Sequence, residues 1–387
     1  MAQLHRLGPL AFALLLGLLG ADVARALPVP PGIADSPADY HGFLNGRFLL
    51  LNMHGALFHP GIEATREDVR YAAWMNAGVI RVFATDQSLE EPEDGERVGH
   101  RIADLAPTLR EHRVKLIVAL VNNHQEVPGE RPESVGEKDG YWQLLLPFYT
   151  DTWRGAYLDF SRRLIHTVVD RGARDVIFAW ELGNELHTPD DPPRVLTFIE
   201  DMAREIRRLD PETALLPGTM GTHHLEPWRL SAELGRRLYC EGPIAAYTLH
   251  GYDWLGPDRW GDMPIHWDFS QVIAPACSNG RKLPVIVEEL GTSRELPNVW
   301  GAGDEERRFE QELHQLRMVL DHEQVVGIGS WSSESPLVSH RRFDDRRGLT
   351  SYGPARDGSG SCYPPGRAEP GVRCRLEQVL RSLPARP

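Results

Sequence analysis

Cysteine is scarce in this chain, with four among 387 residues. None falls in a CxxC pair or beside histidines at zinc-ligand spacing, which argues against a thiolate metal centre and implies no metal or other cofactor. Positive charge is in deficit: 42 Lys and Arg stand against 55 Asp and Glu, a net charge of −13. Such a balance argues against nucleic acid and anionic membrane surfaces, whose recognition needs basic patches. No apolar run after residue 26 approaches the roughly 20 residues that cross a bilayer. A GxGxxG turn is missing after the first apolar run, which removes the main support for a doubly wound sheet. Neither an internal repeat nor a long linker is present, so a single folded domain is expected.

The amino terminus carries its own signal. His5 and Arg6 precede a 15-residue apolar run, "LGPLAFALLLGLLGA", and Ala24-Arg25-Ala26 follows as a small-x-small cleavage site. That order is the pattern of a secretory signal peptide over residues 1–26, with a mature chain starting at Leu27 and a secreted or periplasmic destination. A membrane anchor is the alternative. Cleavage removes two arginines and one aspartate, leaving a net charge of −14. In an oxidising compartment an even cysteine count suggests two disulfides, and three pairings are possible. Proximity in sequence favours Cys362–Cys374 together with Cys240–Cys277.

Eight short runs rich in Val, Ile and Leu recur along the chain, at 48–55, 79–86, 115–123, 176–185, 214–221, 245–253, 284–291 and 325–334. Near-continuous apolar strands are what a parallel sheet covered on both faces requires. Helical spacing of apolar residues separates them, as in 64–76, 154–172 and 305–323. Strand and helix alternating eight times predict a single-domain (β/α)8 barrel over residues 27–340. Residues 125–150 are too long for an ordinary connection and are expected to shape the barrel mouth. Residues 341–387 read as an irregular extension packed on or near the barrel.

In such barrels chemistry collects at the carboxyl ends of the strands. The stretch "FAWELGNELH" (178–187) ends an apolar run on two glutamates. Arg81 lies in the second run, Asn184 and Glu185 end the fourth, His250 and Tyr252 end the sixth, Glu289 ends the seventh, and Trp331 lies late in the eighth. Glu185 and Glu289 would face each other across the mouth. Glycosidic hydrolysis needs one carboxylic acid for the leaving oxygen and one carboxylate for the anomeric carbon. Arg81 and His250 can keep one of the two ionised while drier surroundings keep the other protonated. Glu181 sits earlier in its run and is expected to be held by interior partners. Glu288 is expected, from strand parity alone, to point away from the lumen. Ten tryptophans suit a ligand with flat apolar faces such as a sugar, although core filling is the bland reading of any one of them. Trp254 and Trp300 are candidate outer sugar platforms, and His223 and His224 are rim residues.

In sequence order, "LVNNHQ", "FYTDTWRGAYLDFSRRLIHTVV", "IFAWELGNE", "LHGYDW" and "KLPVIVEELG" resemble the retaining β-glycanases of glycoside hydrolase family 5, above all its endo-β-1,4-mannanases. The resemblance covers about residues 40–335. It implies Glu185 as acid/base, Glu289 as nucleophile, and Asn184 at the sugar 2-hydroxyl. It further implies Arg81, His250 and Tyr252 around the nucleophile, and Trp331 as the platform at the cleavage point. The partner it implies is a β-linked polysaccharide or oligosaccharide, met by a monomer. The chain departs from the family pattern at Leu186, where proline is usual, at Leu290, where an aromatic is usual, and at His124, which replaces a tryptophan. A β-glucanase, an exo-β-mannosidase and a sugar-binding barrel without catalysis remain as alternatives.

Overall fold

In the computed structural model the described residues are 47–85, 94–121, 151–186, 192–219, 237–241, 244–252, 284–291, 324–331, 361–365 and 372–383, with scattered positions between 309 and 337. The expected signal peptide, the 125–150 segment, Trp254, Trp300, His124, His223 and His224 lie outside them.

Eight strands appear in chain order: β1 Phe48–Asn52, β2 Val79–Phe83, β3 Lys115–Ala119, β4 Ile177–Glu181, β5 Ala214–Leu216, β6 Tyr247–Tyr252, β7 Val285–Gly291 and β8 Val325–Ser330. They pair in parallel in the order β5-β4-β3-β2-β1-β8-β7-β6, so that β8 returns to β1. The seam between β5 and β6 is bridged where the Ala245 amide donates to the Leu215 carbonyl at 2.9 Å. The chain is a (β/α)8 barrel, as the alternation of patterns requires. Helices α1 (Ile62–Trp74), α2 (Gly95–His112), α3 (Asp151–Asp170) and α4 (Pro192–Leu209) cover the outside. Phe309, Glu312, Leu313, Leu316, Arg317, Val319 and Leu320 are helical too, within the predicted 305–323 segment. Helices α2 and α3 approach so closely that a Cβ on Gly95 would lie 2.2 Å from the Phe160 carbonyl oxygen. Among the described residues no helix is long and apolar enough to cross a membrane.

Two apolar layers follow from the pleat. Leu49, Leu51, Ile80, Val82, Trp180, Val285 and Val287 point outward into the layer under the helices. Phe48, Leu50, Val79, Ile117, Ala179, Ala246 and Ile286 point inward and fill the lower half of the barrel. Two residues further along, the inward face becomes polar at Asn52, Arg81, Glu181 and Glu288, and four beyond Ala246 at His250, all buried. The apolar floor and the polar upper layer share one strand parity.

Part of the segment expected to be irregular is helical. Helix α5 (Val372–Ser382) lies against α1 and is joined to residue 362 by the disulfide Cys362–Cys374. Cys240 is also disulfide-bonded, and its expected partner Cys277 lies outside the described residues. Buried Glu377 organises this contact. It accepts hydrogen bonds from Tyr71 (2.8 Å), Ser361 (2.7 Å), the Cys362 amide (2.8 Å) and Arg373 Nε (3.0 Å). Glu377→Ala deprives the buried Arg373 guanidinium of this carboxylate, and a stability loss of about 3 kcal/mol is expected. Urea unfolding followed by tryptophan fluorescence measures it; an unchanged midpoint would mean that α5 is not part of the cooperative unit.

Candidate active site

Arg81 is the centre of the polar layer. It is fully buried, and each of its five N–H donors has an acceptor. Nε and Nη2 grip Glu181 at 2.7 and 2.6 Å, Nη1 reaches Glu289 Oε1 at 2.6 Å and Asn52 Oδ1 at 3.1 Å, and Nη2 also reaches Asn184 Oδ1 at 2.8 Å. Burial opposes its charge, but Glu181, followed by Glu289 and Glu288, more than offsets that, and the guanidinium stays cationic. The planar fork gives rigid geometry that a lysine could not. Glu181 is thus held inside the barrel as expected, and Arg81 draws Glu289 and Asn184 to one place.

Glu185 lies just past β4 with its backbone in the left-handed region, at φ 54°. For a residue with a long side chain that conformation is strained and persists only where the surroundings enforce it. Here they do: the Asn184 amide donates to the Val121 carbonyl at 2.7 Å and the Leu186 amide to the Gly218 carbonyl at 3.1 Å. Gly218, at φ 69°, presses so near that a Cβ would sit 1.4 Å from the Gly183 carbonyl oxygen. Only glycine fits there. Gly218→Ala is expected to cost about 3 kcal/mol or more, combining a positive φ with a backbone collision. A thermal melt checks the stability, and a variant with native stability would show that the turn can relax.

His250 links the carboxylates. Its Nδ1 donates to Glu185 Oε1 at 2.9 Å and faces Glu289 Oε2 at 3.4 Å, while Nε2 faces Glu288 Oε2 at 3.4 Å. Burial alone would discharge the ring, but the Glu289 charge, then the bonds to Glu185 and Glu288, push its pKa up to about 10. It is an imidazolium at neutral pH. Glu185, His250 and Glu289 each offer one atom within 4.8 Å of the others, which has the outline of a metal site. With His250 Nδ1 bonded to Glu185 and facing Glu289, the arrangement reads as a proton-bearing cluster.

The two glutamates of β7 require a correction. Parity was expected to send Glu288 outward and Glu289 inward. Glu288 is fully buried in the polar layer, on the same face as Ile286 of the barrel floor. Glu289 reaches the site as well because β7 carries an irregularity. Leu249 pairs with Val287 and His250 with Glu289, so Glu288 is an extra residue on its strand. Such a bulge breaks the alternation and turns two consecutive side chains to one side. Asn52 steadies it by donating Nδ2 to the Glu288 carbonyl at 2.6 Å and the Ser330 carbonyl at 3.1 Å.

Trp331 is half-buried at the rim, its amide bonded to the Leu290 carbonyl at 2.7 Å. Its ring lies 6.1 Å from those of both His54 and Phe83, and these two meet edge to face at 4.2 Å. The aromatic corner stands over Arg81, whose Cζ is 4.9 Å from the Phe83 centroid. The backbone of Tyr252 pairs with Gly291 at the end of β6. Arg81, Asn184, Glu185, His250 and Glu289 therefore converge, with Trp331 beside them. Asn52, His54 and Phe83 escaped the sequence reading. The signal for Asn52 was available, as one amide ending the run "FLLLN".

No protein-family model matches the sequence, and neither does any curated protein. Solved structures do match. An endo-1,4-β-D-mannanase from Thermotoga petrophila aligns at TM-score 0.58 and 18% identity, covering 87% of this chain and 99% of that one. A family 5 glycoside hydrolase mannosidase from Rhizomucor miehei gives 0.56 and 15%, covering 87% and 92%. An exo-β-1,4-mannosidase from the Opitutaceae bacterium strain TAV5 gives 0.55 and 18%, covering 88% and 61%. This chain shares their fold.

Proposed function

We propose that the protein is a retaining glycoside hydrolase acting on β-1,4-mannosidic bonds of mannan-type polysaccharides. The observation that carries the reading is the pairing of Glu185 and Glu289, with an oxygen of each within 4.8 Å. Retaining enzymes hold their two carboxyl groups about 5–5.5 Å apart, and inverting enzymes about 6.5–9.5 Å apart, to admit a water. The close spacing favours double displacement.

The roles follow from the partners. Glu289 accepts a charge-assisted hydrogen bond from Arg81 at 2.6 Å, which orients it and suits a nucleophile. Glu185 accepts from His250 instead, and is the proton carrier. In the first step Glu289 attacks the anomeric carbon, the bond to the leaving oxygen breaks, and Glu185 gives that oxygen its proton. In the second, Glu185 takes a proton from water, the water oxygen attacks the same carbon, and the bond to Glu289 breaks. Two inversions leave the β configuration. Asn184, fixed by Arg81, is available to the sugar 2-hydroxyl, and Trp331 offers a face for the ring.

The mannan specificity rests on the motif resemblance and on the mannan-active enzymes that share the fold. Product analysis on mannan, glucomannan and cellulose tests it, with fastest cleavage expected on the first two. Faster cleavage of cellulose would make the protein a β-glucanase, and release of mannose alone an exo-enzyme. Because double displacement by two carboxyl groups calls for no metal, EDTA should leave turnover unchanged within error, and its abolition in the folded protein would overturn the metal-free mechanism. The signal-like residues 1–26 and the disulfide Cys362–Cys374 support export to the periplasm or beyond, where a polymeric substrate is met. We take the protein to act as a monomer.

A further inference from the structure

Among the described residues, double displacement assigns no task to two carboxyl groups of the polar layer, Glu181, which Arg81 clamps, and Glu288, and any role for Glu288 depends on that reading of Glu185 and Glu289. Glu288 is fully buried. Oε2 faces His250 Nε2 at 3.4 Å, and Oε1 has no hydrogen-bond partner. Arg81 cannot serve it, since its donors are engaged by Glu181, Glu289, Asn52 and Asn184. Around Glu288 stand Arg81 from β2, Glu181 from β4 and His250 from β6, with Glu289 adjacent. The Tyr239 phenol feels its charge from the turn at 237–241, and Asn52 from β1 holds only its backbone carbonyl.

Among the described residues, Glu181, Glu185, Glu288 and Glu289 thus share the barrel mouth with two cations, Arg81 and His250. Uncompensated charge is costly where water is excluded, so neutrality calls for two protons on the four carboxyl groups. Arg81 donates directly to Glu181 and Glu289 and supplies their counter-charge. The protons fall to Glu185 and Glu288.

We propose that Glu288 is a positioning residue that acts through His250 to keep Glu185 protonated across the neutral pH range. An imidazolium 2.9 Å from Glu185 favours loss of its proton, the opposite of what an acid catalyst needs. Glu288 on the far nitrogen of the same ring counters this. Once ionised it draws the ring's charge toward itself and adds a like charge near Glu185, and both effects favour the protonated acid. Burial, then the neighbouring Glu181 charge, raise the Glu288 pKa to about 7, so its ionisation falls where Glu185 is due to lose its proton. Below that range Glu288 is neutral and contributes chiefly shape.

The test is kcat/KM against pH for Glu288→Gln and Glu288→Asp on unactivated manno-oligosaccharides. In Glu288→Gln the alkaline limb should move down by about one pH unit, a loss of about tenfold on that side against a few-fold at most near pH 5. Glu288→Asp, which keeps a carboxyl group, should recover part of the shift. A limb that stays put or moves up overturns the proposal, as does an equal loss at every pH. If Glu288→Gln does not fold, carboxyl NMR of 13C-glutamate-labelled wild-type protein decides. Glu185 should titrate in two steps, responding first as Glu288 ionises. A single step indifferent to Glu288 refutes the coupling. That titration needs no substrate, so it stands apart from the glycosidase reading, which fails on its own terms if the wild type cleaves no β-linked glycan.

Discussion

Glu289→Ala is expected to lower turnover on the order of 10⁴-fold or more for every β-linked substrate, whatever its leaving group. Among the described residues no other carboxylate can take its place at the anomeric carbon. Glu181 is clamped by two bonds from Arg81, and Glu288 faces the far side of His250. The variant keeps Arg81 bonded to Glu181, Asn184 and Asn52, so the barrel should remain folded. The expected signature is full loss on both mannan and activated aryl mannosides, with a cooperative melt retained. A small anion such as azide can then enter the vacated space and attack directly, and its product must have inverted configuration. Retained configuration in the azide product of this variant would mean that the roles of the two glutamates are reversed.

Glu185→Ala should behave differently. Loss of a general acid costs about 10²–10⁴-fold where the leaving oxygen needs a proton. Mannan and manno-oligosaccharides fall in that group. An aryl glycoside with an acidic phenol needs little protonation, so formation of the glycosyl-enzyme should survive and its hydrolysis become limiting. Azide attacks that intermediate without a base, restores turnover and gives the product of retained configuration. Steady-state rates on the two substrate types, with the anomer read by NMR, check this. Equal loss on both, with no azide rescue, would remove Glu185 from the acid/base role.

Much of this protein was legible before any fold was in hand. Eight apolar runs spaced by helical patterns determine a parallel barrel, because only strands buried on both faces read that way. The rule that chemistry collects at the carboxyl ends of barrel strands singled out Arg81, Asn184, Glu185, His250 and Glu289, and all five meet. The strand ends were read too long, to 55 and 185 where β1 and β4 end at Asn52 and Glu181. Residues past each ladder stay buried at the rim, so their hydrophobicity continues after the pairing stops. Helix α5 was missed because Gly and Pro dominate the segment before it, while its stability comes from Glu377 meeting Tyr71, a contact between distant parts of the chain.

Only the tertiary structure decided where Glu288 and Glu289 point. Parity is a local rule, and it was applied from the wrong reference. Ile286 faces inward, so a regular strand would have turned Glu288 to the lumen and Glu289 into the layer under the helices. The bulge that admits both exists because Asn52 of β1 takes the Glu288 carbonyl and β6 pairs across it. Likewise the left-handed backbone of Glu185 is imposed by Val121 and Gly218, residues from two other strand ends. Periodicity and residue type travel along the chain and can be read there. Register and charge state arise between strands, where a partner hundreds of residues away sets which side chain faces the lumen and which carboxyl group keeps its proton.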